Sequence, residues 1–322
     1  MLPKKYDGYK SPRLTRFAWS RAFCILESKL TSVEIKRNTP GEREVVVASI
    51  QMHPHIGDKA RNVARSVELV RQAAHAGAQV IVLPELSNTG YVFESKDEVF
   101  ELAEQLPTGQ TILTWSECAK ELGIYLVAGI AEREGNRLYN AAAFIGPDGY
   151  IGSYRKLHLW QDENRFFEKG DRGLPVFDTP VGRLAIAICY DGWFPETYRL
   201  LALDGVDIVC VPTNWVPMPN QPMDSIPMAN ILAMAAAHSN GLSIVCANRI
   251  GTERNQQFIG SSLIVGSHGW PIAGPASSDK EEILYARIDI NQARGGRRLN
   301  VFNHVLLDRR DDIYQLSRGS EF

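Results

Sequence analysis

Three side chains at the ends of apolar runs carry the groups of a nucleophile, its base and a charge stabiliser. Cys189 closes Leu184-Ala-Ile-Ala-Ile-Cys189, Glu85 closes Val80-Ile-Val-Leu-Pro-Glu85, and Lys156 closes Tyr150-Ile-Gly-Ser-Tyr-Arg-Lys156. A carboxylate takes the proton of a thiol, and the thiolate then attacks an electrophilic carbon. An ammonium beside both stabilises the negative oxygen of a tetrahedral intermediate and favours the thiolate. The backbone N–H of Tyr190 offers that oxygen a second donor. Glu163, seven residues beyond Lys156, is a further carboxylate able to orient the lysine or the substrate. Each residue alone has a plainer reading. Free cysteine is among the most buried residue types and packs inertly, while Glu85, Lys156 and Glu163 would pass as turn, strand-end and loop charges.

What must position them is an alternation of strands and helices. A strand at 44–51 is followed by a helical period at 59–75, with Val63, Val67, Val70 and Ala74 on one face. Gly77 ends the helix and 79–85 reads as the next strand, which implies a parallel pair with a right-handed crossover. Helices near 97–105 and 108–122 lead to a strand at 124–131. Runs at 138–145 and 150–155 then form a hairpin across Pro147-Asp-Gly149. The second half repeats the order: strand 183–189, helix 195–204 opening on Pro195, strand 206–212, helix 228–240, strand 242–248, then a hairpin of 259–265 with 283–290. Parallel strands need both faces covered. Two such sheets in one chain predict an α/β four-layer αββα sandwich, one domain over 44–315, with Glu85 and Cys189 on equivalent strands of the two halves.

The flanks differ from this body. Residues 1–43 are basic and irregular and read as an N-terminal extension, a surface or subunit contact or a partly disordered segment. The last residues, 316–322, read as a vector-derived remnant. A net charge of −2 gives no reason to expect nucleic acid or an anionic membrane as partner. Five cysteines (24, 118, 189, 210, 246), odd in number and without CxxC spacing, argue against a disulfide framework or zinc site and for a reducing, cytoplasmic setting. Cys118, Cys210 and Cys246 read as core.

Several blocks, in order, resemble the signature segments of the nitrilase superfamily, the carbon–nitrogen hydrolases. They are Pro84-Glu85, Arg155-Lys156-Leu-His158-Leu159, Glu163 with Phe166-Phe-Glu-Lys-Gly170, and Ile188-Cys-Tyr-Asp-Gly-Trp-Phe-Pro-Glu196. Ala247-Asn-Arg249 also matches family habit, and the likeness runs from about residue 44 to about 314. The resemblance implies an αββα fold, a Glu85–Lys156–Cys189 triad with Glu163 as a second essential carboxylate, no metal or organic cofactor, and assembly as a homodimer or larger. The 43-residue leader departs from the pattern.

Nitrilases proper tend to carry Cys-Trp-Glu at the nucleophile, whereas this chain has Cys189-Tyr-Asp191. The run is closer to amidases and N-carbamoyl-amine hydrolases. Hydrolysis of a small amide or carbamoyl C–N bond through a thioester, with ammonia released, is therefore expected. A nitrilase and a non-catalytic interaction protein are the alternatives. Trp193, Asn214 and Trp215 are the expected pocket residues beside Tyr190, with the loop 216–223 as a wall suited to a partly apolar substrate. Carboxylates for a diamine-type substrate are thin: only Asp191 and Asp224 are near. His158 is a rival base for a Cys–His mechanism, but no Asn or Asp partner is evident for it, which favours a structural role.

Overall fold

Strict period-2 alternation organises the first strand: Val45 and Val47 face one way, Ala48, Ile50 and Met52 the other, and all are buried. A strand apolar on both faces needs a layer on each side. The computed structural model of the chain, which describes residues 44–222 and 226–314, supplies both layers. Its elements in order are β1 (Glu44–Gln51), α1 (Lys59–His75), β2 (Val80–Val82), α2 (Lys96–Leu102), α3 (Gln110–Leu122), β3 (Tyr125–Glu134), β4 (Arg137–Gly146), β5 (Gly149–Arg155) and α4 (Glu163–Phe166). There follow β6 (Val176–Thr179), β7 (Gly182–Ile186), a 3-10 turn (Cys189–Trp193), α5 (Pro195–Leu203), β8 (Ile208–Pro212), α6 (Met228–Asn240) and β9 (Ser243–Ala247). Last come the hairpin β10 (Thr252–Glu253) and β11 (Gln256–Gln257), then β12 (Leu263–Val265), β13 (Pro271–Ala273), β14 (Glu282–Asp289) and α7 (Ile290–Gly295).

Two six-stranded sheets result, ordered β14-β1-β2-β3-β4-β5 and β6-β7-β8-β9-β12-β13. Strands β1, β2 and β3 are parallel, as are β7, β8 and β9. Val45, Val47, Val80, Val82 and Val127 of the first sheet share a core with Leu184, Ile186, Val209 and Val245 of the second. On the outer face of the first sheet, Leu69, Val70 and Ala73 of α1 and Ile112 and Trp115 of α3 pack on Ile50, Ile81 and Leu126. On the second, Tyr198 and Leu201 of α5 and Ala233 and Ala237 of α6 close the stack. This is the αββα sandwich that the strand–helix order predicts.

Three expectations need correction. The buried ridge of α1 is Asn62, Ser66, Leu69, Val70 and Ala73, with Val63, Val67 and Ala74 only half buried. Two polar residues take core positions because both are hydrogen-bonded: Asn62 donates to the carbonyls of His55 and Asn88, and Ser66 Oγ accepts from Trp115 Nε1. The strand at 283–290 does not pair with 259–265; β12 pairs with the short β13, and β14 crosses to β1 of the other sheet. Finally, Glu85 and Cys189 do not follow equivalent strands. Strand order matches β1 to β7 and β2 to β8, so Cys189 follows the first parallel strand of its sheet and Glu85 the second. The counterpart of Leu83-Pro84-Glu85 is Val211-Pro212-Thr213. Residues 1–43 and 316–322 lie outside the described residues.

Strand β2 is shorter than predicted because the chain turns away after Val82 into Pro84-Glu85. That turn lies hard against β3: a Cβ on Gly129 would sit 2.4 Å from the Pro84 carbonyl oxygen and 2.5 Å from Glu85 Cα. Gly129→Ala therefore forces the Glu85 turn off β3 and is expected to lose about 1–3 kcal/mol of stability. Urea unfolding measures it, and an unchanged midpoint would show that the close approach is not required.

Candidate active site

The outward face of the Glu85 turn meets the end of β5. Lys156 Nζ donates to Glu85 Oε1 at 2.6 Å and to Glu163 Oε1 at 2.7 Å. Side-chain exposures are 0% for Lys156 and Glu85 and 4% for Glu163, so water does not screen the trio. Asn140 of β4 donates from Nδ2 to Glu85 Oε1 at 2.7 Å, and its carbonyl accepts the Lys156 backbone N–H. Asn214 Nδ2 donates to the Glu85 carbonyl at 2.9 Å. Glu85 Oε2 is buried and has no protein partner. Burial raises the Glu85 carboxyl to about 7; Lys156 opposes the rise and Glu163 adds to it. For Lys156, burial pulls the pKa down, but the charges of Glu163 and Glu85 outweigh it and hold the ammonium well above the ordinary range.

Glu163 opens α4, and its loop is pinned at both ends. Gly170 N–H bonds the Lys156 carbonyl at 2.8 Å, and a Cβ there would lie 2.1 Å from the Arg155 carbonyl oxygen. Tyr91 Oη donates to Glu163 Oε1 at 2.6 Å. Burial, then Glu163, drives the tyrosine pKa well above its ordinary value, so it stays a donor. The Tyr91 and Val92 N–H groups are held by Glu253 Oε1, whose other oxygen pairs with the buried Arg249 at 2.8 Å. Arg155, pointing oppositely to Lys156, is fixed by Glu132 and Asp171 and lies 3.7 Å over the Tyr139 ring.

Cys189 begins the 3-10 turn after β7 with φ 44°, a left-handed conformation that side chains other than Gly rarely adopt. Burial raises its thiol pKa well above the usual range and the Glu85 charge adds to that, while Lys156, Thr213 and the Asn214 N–H pull it down. Asp191, fully buried, secures the turn. Its carboxylate accepts Ile188 N–H at 2.9 Å, His158 N–H at 3.0 Å and Tyr154 Oη at 2.7 Å, and meets His158 Nδ1 at 2.7 Å. His158 therefore does have an acidic partner, unseen in the sequence, and its ring stacks on Phe194 with centroids 3.6 Å apart. Those contacts fit the structural role.

The predicted pocket residues come together. Cys189, Tyr190, Trp193, Asn214 and Trp215 line one narrow pocket of about 20 Å³. Trp160, Val216, Met218 and Gln221 complete much of its wall. Glu163 borders a different pocket, with Tyr91 and Phe166; Asp224 falls outside the described residues. Trp160, Tyr91 and Asn140 were missed from sequence. Only Asn140 carried a signal, as a lone polar residue in an apolar strand. Among the described residues no group of three His, Cys, Asp or Glu is placed to hold a metal ion, and no helix is long and apolar enough to cross a membrane.

Residues 46–298 match the family model described as carbon–nitrogen hydrolase. The chain belongs to the carbon–nitrogen hydrolases of the nitrilase superfamily. Among relatives of this hydrolase, a Pyrococcus abyssi protein named nitrilase is 42% identical over 270 residues, spanning 84% of this chain and 99% of its own. The N-carbamoylputrescine amidase of Solanum lycopersicum is 35% identical, spanning 85% and 95%. The crystal structure of a Helicobacter pylori carbon–nitrogen hydrolase superposes with a TM-score of 0.76 at 29% identity, covering 85% of this hydrolase and 97% of that chain.

Asp191 ties the Cys189 turn to the strand end that carries Lys156. Asp191→Ala leaves several buried donors without an acceptor and is expected to lose at least about 3 kcal/mol, whereas Tyr154→Phe, removing one donor, loses about 1 kcal/mol. Urea unfolding of the two variants tests the ranking; equal losses would remove Asp191 from the centre of this network.

Proposed function

We propose that the protein hydrolyses the C–N bond of a small amide or carbamoyl compound, with Cys189 as nucleophile and Glu85 as general base. The observation that carries this reading is the buried Glu85–Lys156–Glu163 chain, with Glu85 Oε2 left without a protein partner and the charges of Glu85 and Lys156 acting on the Cys189 thiol. The Cys189 proton passes to Glu85 as sulfur attacks the carbonyl carbon. Lys156 Nζ and the Tyr190 N–H stabilise the oxyanion. Collapse breaks the C–N bond, Glu85 returns its proton to the nitrogen, and ammonia leaves a thioester on Cys189. Glu85 then deprotonates a water; its attack and the second collapse give the acid and, on reprotonation by Glu85, the thiol. Glu163 and Tyr91 hold the lysine in register, and Trp193, Asn214 and Trp215 hold the substrate.

Cys189-Tyr-Asp191 favours amides over nitriles. The 42% identity to a protein named nitrilase supports a second reading, a nitrile converted to acid and ammonia. Ammonia release from an amide and from its parent nitrile decides between them. The intact charged set counts against a non-catalytic role. The same reading includes a cytoplasmic setting, supported by four free, buried cysteines among the described residues. It also includes a homodimer or larger assembly, supported by exposed Val301, Phe302, Leu307 and Tyr314 near the end of the chain. We also take residues 44–315 as the hydrolase domain.

Cys189→Ala is expected to abolish hydrolysis and leave the unfolding midpoint within about 1 kcal/mol of the parent. A substrate-trapped adduct on Cys189 should appear by mass spectrometry, and turnover by the variant would end the assignment. The pH profile carries the sign of the Glu85 shift. The working base is the carboxylate, whose population grows as pH rises through its raised pKa of about 7. Activity should fall roughly tenfold per pH unit below that point; a flat kcat/KM from about pH 5 to pH 8 would exclude Glu85 as the base.

A further inference from the structure

Among the described residues, no charged side chain lines the pocket at Cys189. We infer that this pocket selects uncharged amides, those with an aliphatic or aromatic acyl group, and rejects acyl groups that end in an ammonium or a carboxylate. The inference rests on the amide-hydrolase reading of Cys189 and narrows its substrate class.

The wall is Trp160, Tyr190, Trp193, Trp215, Met218 and Ile259. Of the nearest charges, Lys156 is shared between Glu85 and Glu163, and none of the three lines the pocket. An ammonium brought into this space would give up its hydration and meet no carboxylate among the described lining residues, which is strongly unfavourable. Ring faces do not replace one. Trp160 and Tyr190 meet edge to face at 4.8 Å, and Tyr190 meets Phe194 the same way at 5.2 Å. Tyr190 thus already meets Trp160, Trp193 and Phe194, and a primary ammonium holds its water tightly. A carboxylate is opposed equally, with no cation among the described lining residues to receive it.

The polar atoms left over are neutral and complementary. Asn214 Oδ1 and Trp215 Nε1 are buried without protein partners, one an acceptor and the other a donor. Donation from Asn214 Nδ2 to the Glu85 carbonyl fixes which way the amide points. Unpaired buried groups of this kind favour a ligand that satisfies them. A carboxamide N–H suits Asn214 Oδ1, and a neutral oxygen on the acyl group suits Trp215 Nε1.

The test compares pentanamide with the same chain ending in an ammonium and in a carboxylate, reading ammonia release by the full-length protein. A matching nitrile series runs alongside. The neutral compound should exceed both charged ones by roughly 100-fold in kcat/KM. Turnover of either charged compound within about tenfold of the neutral one overturns the inference. So does absence of turnover for both neutral members. If only nitriles react, the amide reading fails while the neutral-to-charged ratio in the nitrile series still decides charge selection. Met218→Glu places a carboxylate in the wall and should shift that ratio toward the ammonium compound by about tenfold or more; an unmoved ratio counts against the inference.

Discussion

One ammonium between two carboxylates, out of reach of water, is the constraint around which the site is built. At about 4 Å and an effective dielectric near 20, a pair of unit charges interacts by about 4 kcal/mol. Two carboxylates and one lysine therefore cannot all be satisfied as full charges. The strain falls on Glu85, which has one oxygen committed to Lys156 and Asn140 and the other unpaired. Glu163 likewise takes the lysine and Tyr91 on Oε1 and leaves Oε2 unpaired. The two carboxylates thus share one lysine, and burial holds the Glu85 carboxyl at a raised pKa of about 7.

Such an arrangement is tolerable only if its members cannot drift apart, and the surrounding packing reads as a response to that demand. Asn140 grips Glu85 by its side chain and Lys156 by its backbone. Gly129 and Gly170 let adjoining backbone approach where a side chain would intrude. Asp191 collects donors from the cysteine turn and from the end of β5. Arg249 and Glu253 form a buried pair that holds the Tyr91 loop from behind. Polar groups this deep remain stabilising when every partner is in place.

The layered fold was legible because its elements repeat a local pattern: apolar runs of strand length, helical periods, and Gly, Pro and Asp at the turns. The ends of those runs also pointed to Glu85, Lys156 and Cys189, since a polar residue closing a buried strand is conspicuous. Strand pairing was less legible. Nothing local in 282–289 says that it crosses to β1 instead of pairing with β12; that choice is made by which sheet edge stands open. Asp191 and Tyr91 were hidden for a similar reason. Their roles depend on partners 33 and 72 residues away, and an acidic residue in a turn or a tyrosine in a loop looks ordinary until the chain is folded. The α1 ridge shows the same limit: Asn62 and Ser66 are core residues only because carbonyls and an indole elsewhere meet them.

The correspondence of β2 with β8 has an architectural consequence. Glu85, Lys156 and Glu163 all belong to the first sheet and the segment just after it, whereas Cys189, Asn214 and Trp215 belong to the second. These residues lie across the seam of a duplicated architecture, and neither sheet holds them all. Any sliding of one sheet over the other, through the shared valines and isoleucines far from the rim, would alter the separation of Glu85 and Cys189. On the proposed reading, the geometry of the site is therefore set by the registry of the two sheets, and the packing in the middle of the sandwich is part of what holds the site together.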